Sequence, residues 1–248
     1  MRKIKVSVII PYFNKEKFFE KTIESVINQS HTNLEIIIIF DDHKKNLKFV
    51  KKIVSLDRRI RLIINTKNLG AGLSRNIGIG CSKGEYLAFI DADDLWKKNK
   101  IEYQLKYMLK KNIFYSHTSY EIIRENNKKT NKIIIAKKTL SYKDLIKSCD
   151  IGLSTVMIKK SIMIKNYKFA KLKTKEDYVL WLKILKDKKY FDGINKNLTY
   201  WRKTNNSLSS SNFQKIIDGY RVYKNYLNFT FFKSVICLLI LSFNALKK

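Results

Sequence analysis

Four short apolar runs near the beginning of the chain constrain its fold more than any other feature. Each run is rich in β-branched residues, as strands buried on both faces of a parallel sheet are. Between the runs, apolar residues recur at the three- and four-residue spacing of amphipathic helices. The predicted strands are Val6–Ile10, Leu34–Phe40, Leu62–Ile64 and Tyr86–Ile90, and the predicted helices cover 18–27, about 44–54 and about 71–81. This alternation predicts an α/β fold with a Rossmann-like, doubly wound, mostly parallel sheet and helices on both faces.

The last of these strands ends in three carboxylates, Asp91, Asp93 and Asp94. The chain has only 21 acidic residues against 51 basic ones, so three acids within four positions are not background. Ligands of open α/β sheets bind outside the carboxyl ends of the strands, and packed carboxylates repel one another unless a cation offsets their charge. We therefore expect Mg²⁺ or Mn²⁺, held by one or two of these carboxylates and by substrate phosphates. Alternatively, Asp93 or Asp94 caps a helix that starts at Leu95 or Trp96.

The net charge of +30 favours an anionic partner such as nucleic acid, anionic lipid or a phosphorylated substrate. Most of the excess is scattered lysine, which also suits a merely solvated surface. The sequence has no arginine-rich arm, zinc-finger spacing or base-stacking signature, so we expect no nucleic-acid partner. The three cysteines lie far apart and the chain enters a strand almost at once, so we expect a cytoplasmic protein without disulfides or a signal peptide.

The middle of the chain is less regular. Strand-like segments occur at Ile113–Tyr120 and Lys132–Ala136, and a helix is predicted over Glu176–Asp187. The side chains that this helix is expected to bury are Tyr178, Trp181, Ile184 and Leu185.

The C-terminal segment is helical from about Asn212 and becomes apolar nearly all round after Phe231. Its uninterrupted apolar run, Val235–Leu241, is shorter than the roughly 20 residues of a membrane span. We expect this tail to lie peripherally on anionic lipid at the inner face of the cell membrane, or alternatively to pack on the rest of the protein.

Several short motifs follow one another in a fixed order. They are V-S-V-I-I-P-Y-F-N at Val6–Asn14, S-V-I-N-Q-S at Ser25–Ser30, F-D-D at Phe40–Asp42, N-L-G at Asn68–Gly70, S-R-N-I-G at Ser74–Gly78, D-A-D-D at Asp91–Asp94, E-D at Glu176–Asp177 and Y-W-R at Tyr200–Arg202, followed by Ser207 and Ser209. Together they resemble the family 2 glycosyltransferases, the large inverting group with the GT-A fold. The resemblance covers about residues 4–110 strongly and 174–210 more weakly.

The resemblance implies a catalytic domain at 1–210, with a nucleotide-binding half at 1–110 and an acceptor half at 111–210, and a helical tail at 211–248. The implied reaction moves a sugar from a nucleotide-sugar donor, above all a UDP-sugar, to a glycan or lipid-linked acceptor during cell-surface polysaccharide biosynthesis. It assigns the metal to Asp93 and the general base to Asp177. Its donor-binding residues here are Pro11, Phe13, Asn14, Asp42, Asn68, Arg75, Asp91 and Arg202.

The turn residues of the first two strands have both a functional and a structural interpretation. Tyr12 and Phe13 offer a flat wall for a nucleobase, or they pack the turn. Asp42 suits hydrogen bonds from a base or ribose. Alternatively, Asp41 or Asp42 caps the following helix, and Asp41 is favoured for that role. The family usually continues Asp-Asp-Gly-Ser, but this chain has His43-Lys44-Lys45 there, which leaves the nucleotide contacts of this turn open.

The remaining site residues also have alternatives. Arg75 can hold a diphosphate or a metal-site carboxylate in a two-point contact, or it is a surface arginine. Arg202 is expected at the donor phosphates or in a surface ion pair. Asp177 is either the base, with Glu176 next in line, or a charge that favours a helix N-terminus.

Two other classes of protein compete with this assignment. A non-catalytic basic module that binds nucleic acid or anionic lipid would have no need for Asp93 or Asp177. A nucleotidyltransferase on a similar sheet would usually carry a glycine-rich phosphate loop near the first strand, and the sequence has none there.

Overall fold

Strands and helices alternate along the first part of the chain, as the sequence predicted. The computed structural model describes residues 4–43, 46–163, 167–187, 190–204 and 211–246. The strands are β1 (Val6–Tyr12), β2 (Leu34–Phe40), β3 (Ile60–Ile64), β4 (Tyr86–Phe89), β5 (Leu95–Trp96), β6 (Tyr115–Arg124), β7 (Lys129–Ile134), β8 (Thr139–Leu140), β9 (Met157–Lys159) and β10 (Phe191–Lys203). The helices are α1 (Glu16–Ile27), α2 (Leu47–Val54), α3 (Ala71–Cys81), α4 (Lys100–Lys111), α5 (Tyr142–Leu145), α6 (Lys160–Met163), α7 (Glu176–Asp187), α8 (Asn212–Arg221) and α9 (Phe231–Leu246). The turn residues Lys44 and Lys45 and the motif residues Ser207 and Ser209 lie outside the described residues.

The first half of the sheet is parallel, with the order β3-β2-β1-β4. Every residue of β1 and β2 is buried because alternate side chains enter two separate cores. Val8 and Ile10 pack with apolar residues of α1, α2 and α4, while Ile9 packs on the opposite face with α7. Burial on both faces explains why these strands appear in the sequence as unbroken apolar runs.

The second half of the sheet is mixed. β9 lies antiparallel between β4 and β6, and β10 runs parallel to β6 but antiparallel to β5. The strands predicted at Ile113–Tyr120 and Lys132–Ala136 are displaced, because the hairpin strands are Tyr115–Arg124 and Lys129–Ile134. The second of these strands is exposed at almost every position and begins with Lys-Thr-Asn-Lys, so no apolar run marks its start.

Helix α7 has the predicted bounds, and its four predicted core side chains are buried. Trp181 meets the rings of Phe169 and Phe191 edge-on at centroid distances of 5.9 and 5.7 Å. The Tyr178 hydroxyl donates to the Leu145 carbonyl at 2.8 Å. The N-terminus of α7 is therefore fixed by a well-packed helix body.

The tail consists of two helices rather than one continuous helix. After α8, the segment Val222–Tyr226 adopts π-helical turns, and Asn228 takes a left-handed conformation with φ of 55° before α9 begins. One face of this tail packs on the core through Tyr223 and Leu241. Among the described residues, no helix has the length and apolar character needed to cross a bilayer.

Candidate active site

Acidic residues from two distant segments gather at one edge of the sheet. β1, β2 and β4 are parallel neighbours, so their carboxyl ends lie together, and β4 leads directly into Asp91. The first turn of α7 brings Glu176 and Asp177 to the same edge, because Glu176 and Asp91 contact a single arginine. This edge is where open α/β sheets bind their ligands.

That arginine is Arg75, one turn into α3. Its Nη2 donates to Asp91 Oδ1 at 2.6 Å, and its Nη1 donates to Glu176 Oε1 at 2.5 Å. The side chain is only 3% exposed, so the interpretation as a surface arginine is wrong. Burial disfavours its charge, but Asp91 and Glu176 more than offset this and raise the pKa of Arg75. A charged guanidinium therefore joins the end of β4 to the start of α7.

The close approach of α3 to α7 requires Gly72. A Cβ at this position would lie 2.5 Å from the Ala170 carbonyl oxygen and 3.0 Å from Glu176 Cγ. Any larger residue would therefore force the Ala170 backbone or the Glu176 side chain to move.

Asp177 has one hydrogen bond and no cationic partner among the described residues. Its Oδ1 accepts a hydrogen bond from the Tyr178 amide at 2.8 Å, and none of the described Lys, Arg or His side chains forms an ion pair with it. Burial and then the charge of Glu176 raise the pKa of Asp177 to about 7, while Arg75 acts in the opposite direction. A carboxylate with this pKa is able to accept a proton near neutral pH.

Asp93 has a different environment. The Lys15 ammonium lies 2.6 Å from its Oδ2, yet burial and repulsion by Asp91 still raise the pKa of Asp93. The arrangement thus favours additional positive charge beside this carboxylate. Sequence reasoning did not single out Lys15, although its position directly after Asn14 in the first motif was an available signal.

Asp94 has a structural role. It is buried, its Oδ2 accepts from the Ser154 hydroxyl at 2.5 Å, and its Oδ1 accepts from the Arg202 amide at 2.8 Å. The expectation that Asp93 or Asp94 caps a helix from Leu95 is wrong, because the chain continues into β5 and α4 begins only at Lys100. No sequence signal could have identified Ser154, because it is distant from Asp94 in the sequence and the two meet only in the folded structure.

Arg202 fastens the β6–β7 turn to the loop that carries Asp93. Its Nε donates to the Asp93 carbonyl at 2.6 Å, and its Nη1 donates to the carbonyls of Arg124 and Glu125 at 3.2 and 3.1 Å. The side chain is buried, and its guanidinium lies 4.9 Å from the Phe18 ring centre, so the expected surface ion pair is wrong. Its Nη2 has no hydrogen-bond partner among the described residues.

The two carboxylates that follow β2 have separate roles. Asp41 does not cap α2; it accepts hydrogen bonds from the amides of Leu69 and Gly70, both at 2.8 Å, and so fixes the loop before α3. Asn68 donates to the Asp41 carbonyl at 2.8 Å. Asp42 is more exposed and accepts from the Asn14 amide at 2.8 Å, which ties the ends of β1 and β2 together. It also accepts from the side-chain amide of Asn46, directly before α2, at 2.5 Å.

The β1 turn separates the two aromatic residues that the sequence proposed as a wall. Tyr12 is fully buried and stacks on Phe40 at a centroid distance of 5.8 Å, so it packs the core. Phe13 is 42% exposed, with its ring 6.4 Å from that of His43. Pro11 is buried within β1, which leaves Phe13 as the aromatic surface of this turn.

A divalent cation held mainly by substrate fits the residues beside Asp93. No cluster of three or more His, Cys, Asp or Glu side chains suited to a metal occurs among the described residues. The available donors, Asp93 and its neighbour Asp91, are hard carboxylate oxygens. Mg²⁺ and Mn²⁺ suit one or two carboxylates completed by phosphates and water, whereas a structural zinc site needs four protein ligands.

Several known glycosyltransferases are similar to this chain in sequence. A family model described as "Glycosyl transferase family 2" matches residues 7–172. The putative teichuronic acid biosynthesis glycosyltransferase TuaG of Bacillus subtilis is 33% identical over 244 residues, covering 98% of this chain and 96% of that protein. The UDP-Glc:α-D-GlcNAc-diphosphoundecaprenol β-1,3-glucosyltransferase WfgD of Escherichia coli is 36% identical over 213 residues, covering 85% of this chain and 82% of the relative.

A solved structure has the same fold. The S. aureus TarS structure of residues 1–349 in complex with UDP-GlcNAc superposes with a TM-score of 0.74 and 21% sequence identity. The match covers 90% of this chain and 65% of the TarS chain, so this chain spans about two thirds of that structure.

Proposed function

The chain belongs to glycosyl transferase family 2, with the GT-A fold that its motifs predicted, and from this premise we propose that it transfers a sugar from a nucleotide-sugar donor to a glycan or lipid-linked acceptor with inversion at the anomeric carbon. It is related to enzymes of cell-surface polysaccharide biosynthesis. We expect a UDP-sugar as donor, since the Escherichia coli relative is named for UDP-Glc.

The observation that carries this proposal is the ion-pair network of Arg75. The Arg75 guanidinium contacts both Asp91 and Glu176. Asp91 lies at the end of the strand assigned to the donor, and Glu176 precedes the proposed base. A protein that only bound anions would gain nothing from clustered carboxylates at the edge of a basic surface. The network therefore supports an enzyme more strongly than a basic binding module.

Asp177 is the proposed general base. Its carboxylate takes the proton of the acceptor hydroxyl while the hydroxyl oxygen forms a bond to the anomeric carbon. The bond from that carbon to the donor diphosphate breaks on the opposite face, so the configuration inverts and the nucleoside diphosphate leaves with the bonding electrons. A pKa near 7 matches this role, because the ionised form is available at neutral pH and still accepts a proton readily.

The donor lies, in this proposal, along the ends of β1, β2 and β4. The exposed ring of Phe13 offers its face to the base, and Asp42 accepts hydrogen bonds from base or ribose. The other residues assigned to the donor are Asn14, Asn68, Arg75, Asp91 and Arg202. Asp93 would hold Mg²⁺ or Mn²⁺, which when bound neutralises charge on the departing diphosphate.

Peripheral contact with an anionic membrane is the proposed role of the tail, at the inner face of the cell membrane. Five apolar side chains on α9 are each more than half exposed and recur at four- and three-residue spacing: Phe232, Ile236, Leu239, Phe243 and Leu246. The opposite face packs on the protein. Lysines on α8 and α9 add attraction to lipid phosphates, each worth on the order of 1 kcal/mol.

Substitution tests this contact better than truncation, because Leu241 belongs to the core. The triple variant Phe232→Ser/Leu239→Ser/Phe243→Ser should remain folded and lose sedimentation with anionic liposomes. A control variant, Leu109→Ser/Phe114→Ser, removes apolar side chains that are exposed elsewhere and should sediment as the unmodified protein does. Equal sedimentation of the triple variant and the control would refute the membrane contact.

A donor screen tests the catalytic proposal. Nucleotide sugars with UDP, GDP and CMP leaving groups are tested with Mn²⁺ for thermal stabilisation and for release of the nucleoside diphosphate or monophosphate. We expect one UDP-sugar to stabilise the protein and to be consumed. Absence of both effects with every donor would rule out the proposed function.

A further inference from the structure

Three lysines lie on segments that meet near the proposed base. Lys175 directly precedes the Glu176–Asp177 pair, Lys203 ends β10, and Lys215 lies in the first turns of α8. Lys175 has a left-handed conformation with φ of 62°, which is uncommon for a residue with a side chain. The three lysines come from three separate segments, the residue before α7, the end of β10 and the start of α8.

Asp218 fixes the helix that carries Lys215. This buried carboxylate accepts hydrogen bonds from the Thr174 amide at 2.9 Å, from the Thr174 hydroxyl at 3.1 Å and from Gln214 at 2.9 Å. Because Thr174 immediately precedes Lys175, α8 is held directly against the start of α7. The proximity of α8 to Lys175 thus follows from buried contacts and not from chance positions of long side chains.

Lys215 lies close enough to the other two lysines to be influenced by their charges. Burial, followed by the charges of Lys175 and Lys203, lowers the pKa of Lys215. Like charges held near one another are unfavourable unless an anion compensates them. The cluster therefore has the electrostatics of an anion-binding site.

The basic surface continues from this cluster toward Asp93. Lys203 also lines an open cavity of about 670 Å³, together with the neighbouring side chains Lys17, Arg124, Glu125, Asn126 and Thr130. Three of these six side chains are cationic and one is acidic. The Lys17 ammonium lies 2.8 Å from Glu125 Oε2, so Arg124 and Lys203 account for the net positive charge of the cavity. The cavity borders the β6–β7 turn that Arg202 fastens to the Asp93 loop.

Exposed apolar side chains occur in the same turns of α8 as Lys215. Phe213 and Ile216, on either side of Lys215 in the sequence, are 74% and 52% exposed. An anion attached to a hydrocarbon chain would find cations and an apolar surface within the same two turns of α8.

We propose that Lys175, Lys203 and Lys215 bind the diphosphate group of a lipid-linked acceptor, with Phe213 and Ile216 contacting the start of its lipid. This inference rests on the proposed function, because it places the sugar next to the diphosphate, where the acceptor hydroxyl can reach Asp177. The proposed donor diphosphate is assigned to the Asp93 side, so the two diphosphates occupy separate sites.

A vesicle-binding experiment tests the assignment without any donor. The full chain is sedimented with phosphatidylcholine vesicles that contain undecaprenyl diphosphate, and with vesicles of the same negative charge that contain phosphatidylglycerol. We expect preference for the diphosphate vesicles, and we expect the variant Lys203→Gln/Lys215→Gln to bind them at least roughly tenfold more weakly, as loss of charge-assisted hydrogen bonds implies. The control Lys51→Gln/Lys52→Gln, two exposed lysines on α2, should bind as the unmodified protein does.

A second measurement separates the two diphosphates. UDP affinity with Mn²⁺, followed by thermal shift, should be the same in the Lys203→Gln/Lys215→Gln variant and in the unmodified protein. Equal binding of the diphosphate vesicles by variant and unmodified protein, or no preference for those vesicles by the unmodified protein, would overturn the assignment. Loss of UDP affinity in the variant would also overturn it, by placing the lysines at the donor. Failure of the proposed function gives a different pattern, in which no nucleotide sugar is bound or consumed whatever the vesicle result.

Discussion

The end of β4 and the start of α7 place the same chemical group in two different environments. Asp93 lies 2.6 Å from the Lys15 ammonium and beside Asp91, whereas Asp177 accepts only the amide of the next residue among the contacts that the structure describes. Burial raises the pKa of both carboxylates, and that of Asp177 reaches about 7. The β4 carboxylates are thus suited to positive charge and the α7 carboxylate to a proton, so the two sites differ in environment and not in residue type.

The largest expected effect separates proton transfer from donor binding. Asp177→Asn retains size and hydrogen-bonding capacity but cannot accept the proton, so turnover should fall by about 10²–10⁴-fold while UDP affinity changes little. Steady-state kinetics and nucleotide thermal shifts measure the two quantities. Glu20→Gln, an exposed acid on α1, is the control. Near-normal turnover of Asp177→Asn would transfer the role of base to Glu176.

Removal of Arg75 tests whether the two acidic regions depend on each other. Arg75→Leu leaves Asp91 and Glu176 without their shared partner, and breaking a buried ion pair in this way typically costs about 3–5 kcal/mol. Urea unfolding should show a loss of that order, whereas Arg58→Leu, on the surface, should stay within about 0.5 kcal/mol of the unmodified protein. Equal stability of the two variants would mean that the regions are independent.

Nucleotide binding should respond to the β4 carboxylates and not to Asp177. A ligand at a hundredfold excess over its Kd stabilises the folded state by about 2.7 kcal/mol. We expect this stabilisation from UDP with Mn²⁺ or Mg²⁺, and we expect EDTA or Asp93→Ala to reduce it. If Asp177→Asn reduced it equally, the division between the two regions would be wrong.

The smallest expected effect is the dependence of stability on pH at Asp177. Its folded pKa of about 7 lies above the ordinary value of 3.8, so the contribution of Asp177 to stability is fully present below that ordinary value and is lost as pH rises through about 7. Asp177→Asn should therefore raise the Tm relative to the unmodified protein more at pH 8 than at pH 5, by roughly 2–4 °C for each kcal/mol. A Tm difference independent of pH would show that the pKa of Asp177 in the folded protein is not raised.

Periodicity in the sequence predicted the parallel half of the fold well, because its strands are buried on both faces. Helices α3 and α7 have the predicted bounds. The predicted bounds of the β6–β7 strands were displaced because Lys129–Ile134 is an exposed edge strand without apolar alternation. The tail break was missed because Asn228, with positive φ, lies in a segment that otherwise has helical periodicity.

The residue types of the site were visible in the sequence, but their partners were not. Asp94 is bound by Ser154, sixty positions away, and Asp41 fixes the amides of Leu69 and Gly70 rather than capping α2. Such contacts arise only when the segments meet in the fold. Spacing along the chain therefore identifies candidate carboxylates, whereas their pKa values and roles depend on tertiary neighbours.

The pH dependence of transfer tests the central claim most directly. The rate at saturating donor and acceptor is measured between about pH 5 and 9, since a general base must be ionised to act. We predict a rate that rises with an apparent pKa near 7 and then levels off, and a residual rate in Asp177→Asn without that rise. A flat profile for the unmodified protein, or the same rise in Asp177→Asn, would contradict the assignment of Asp177 as the base.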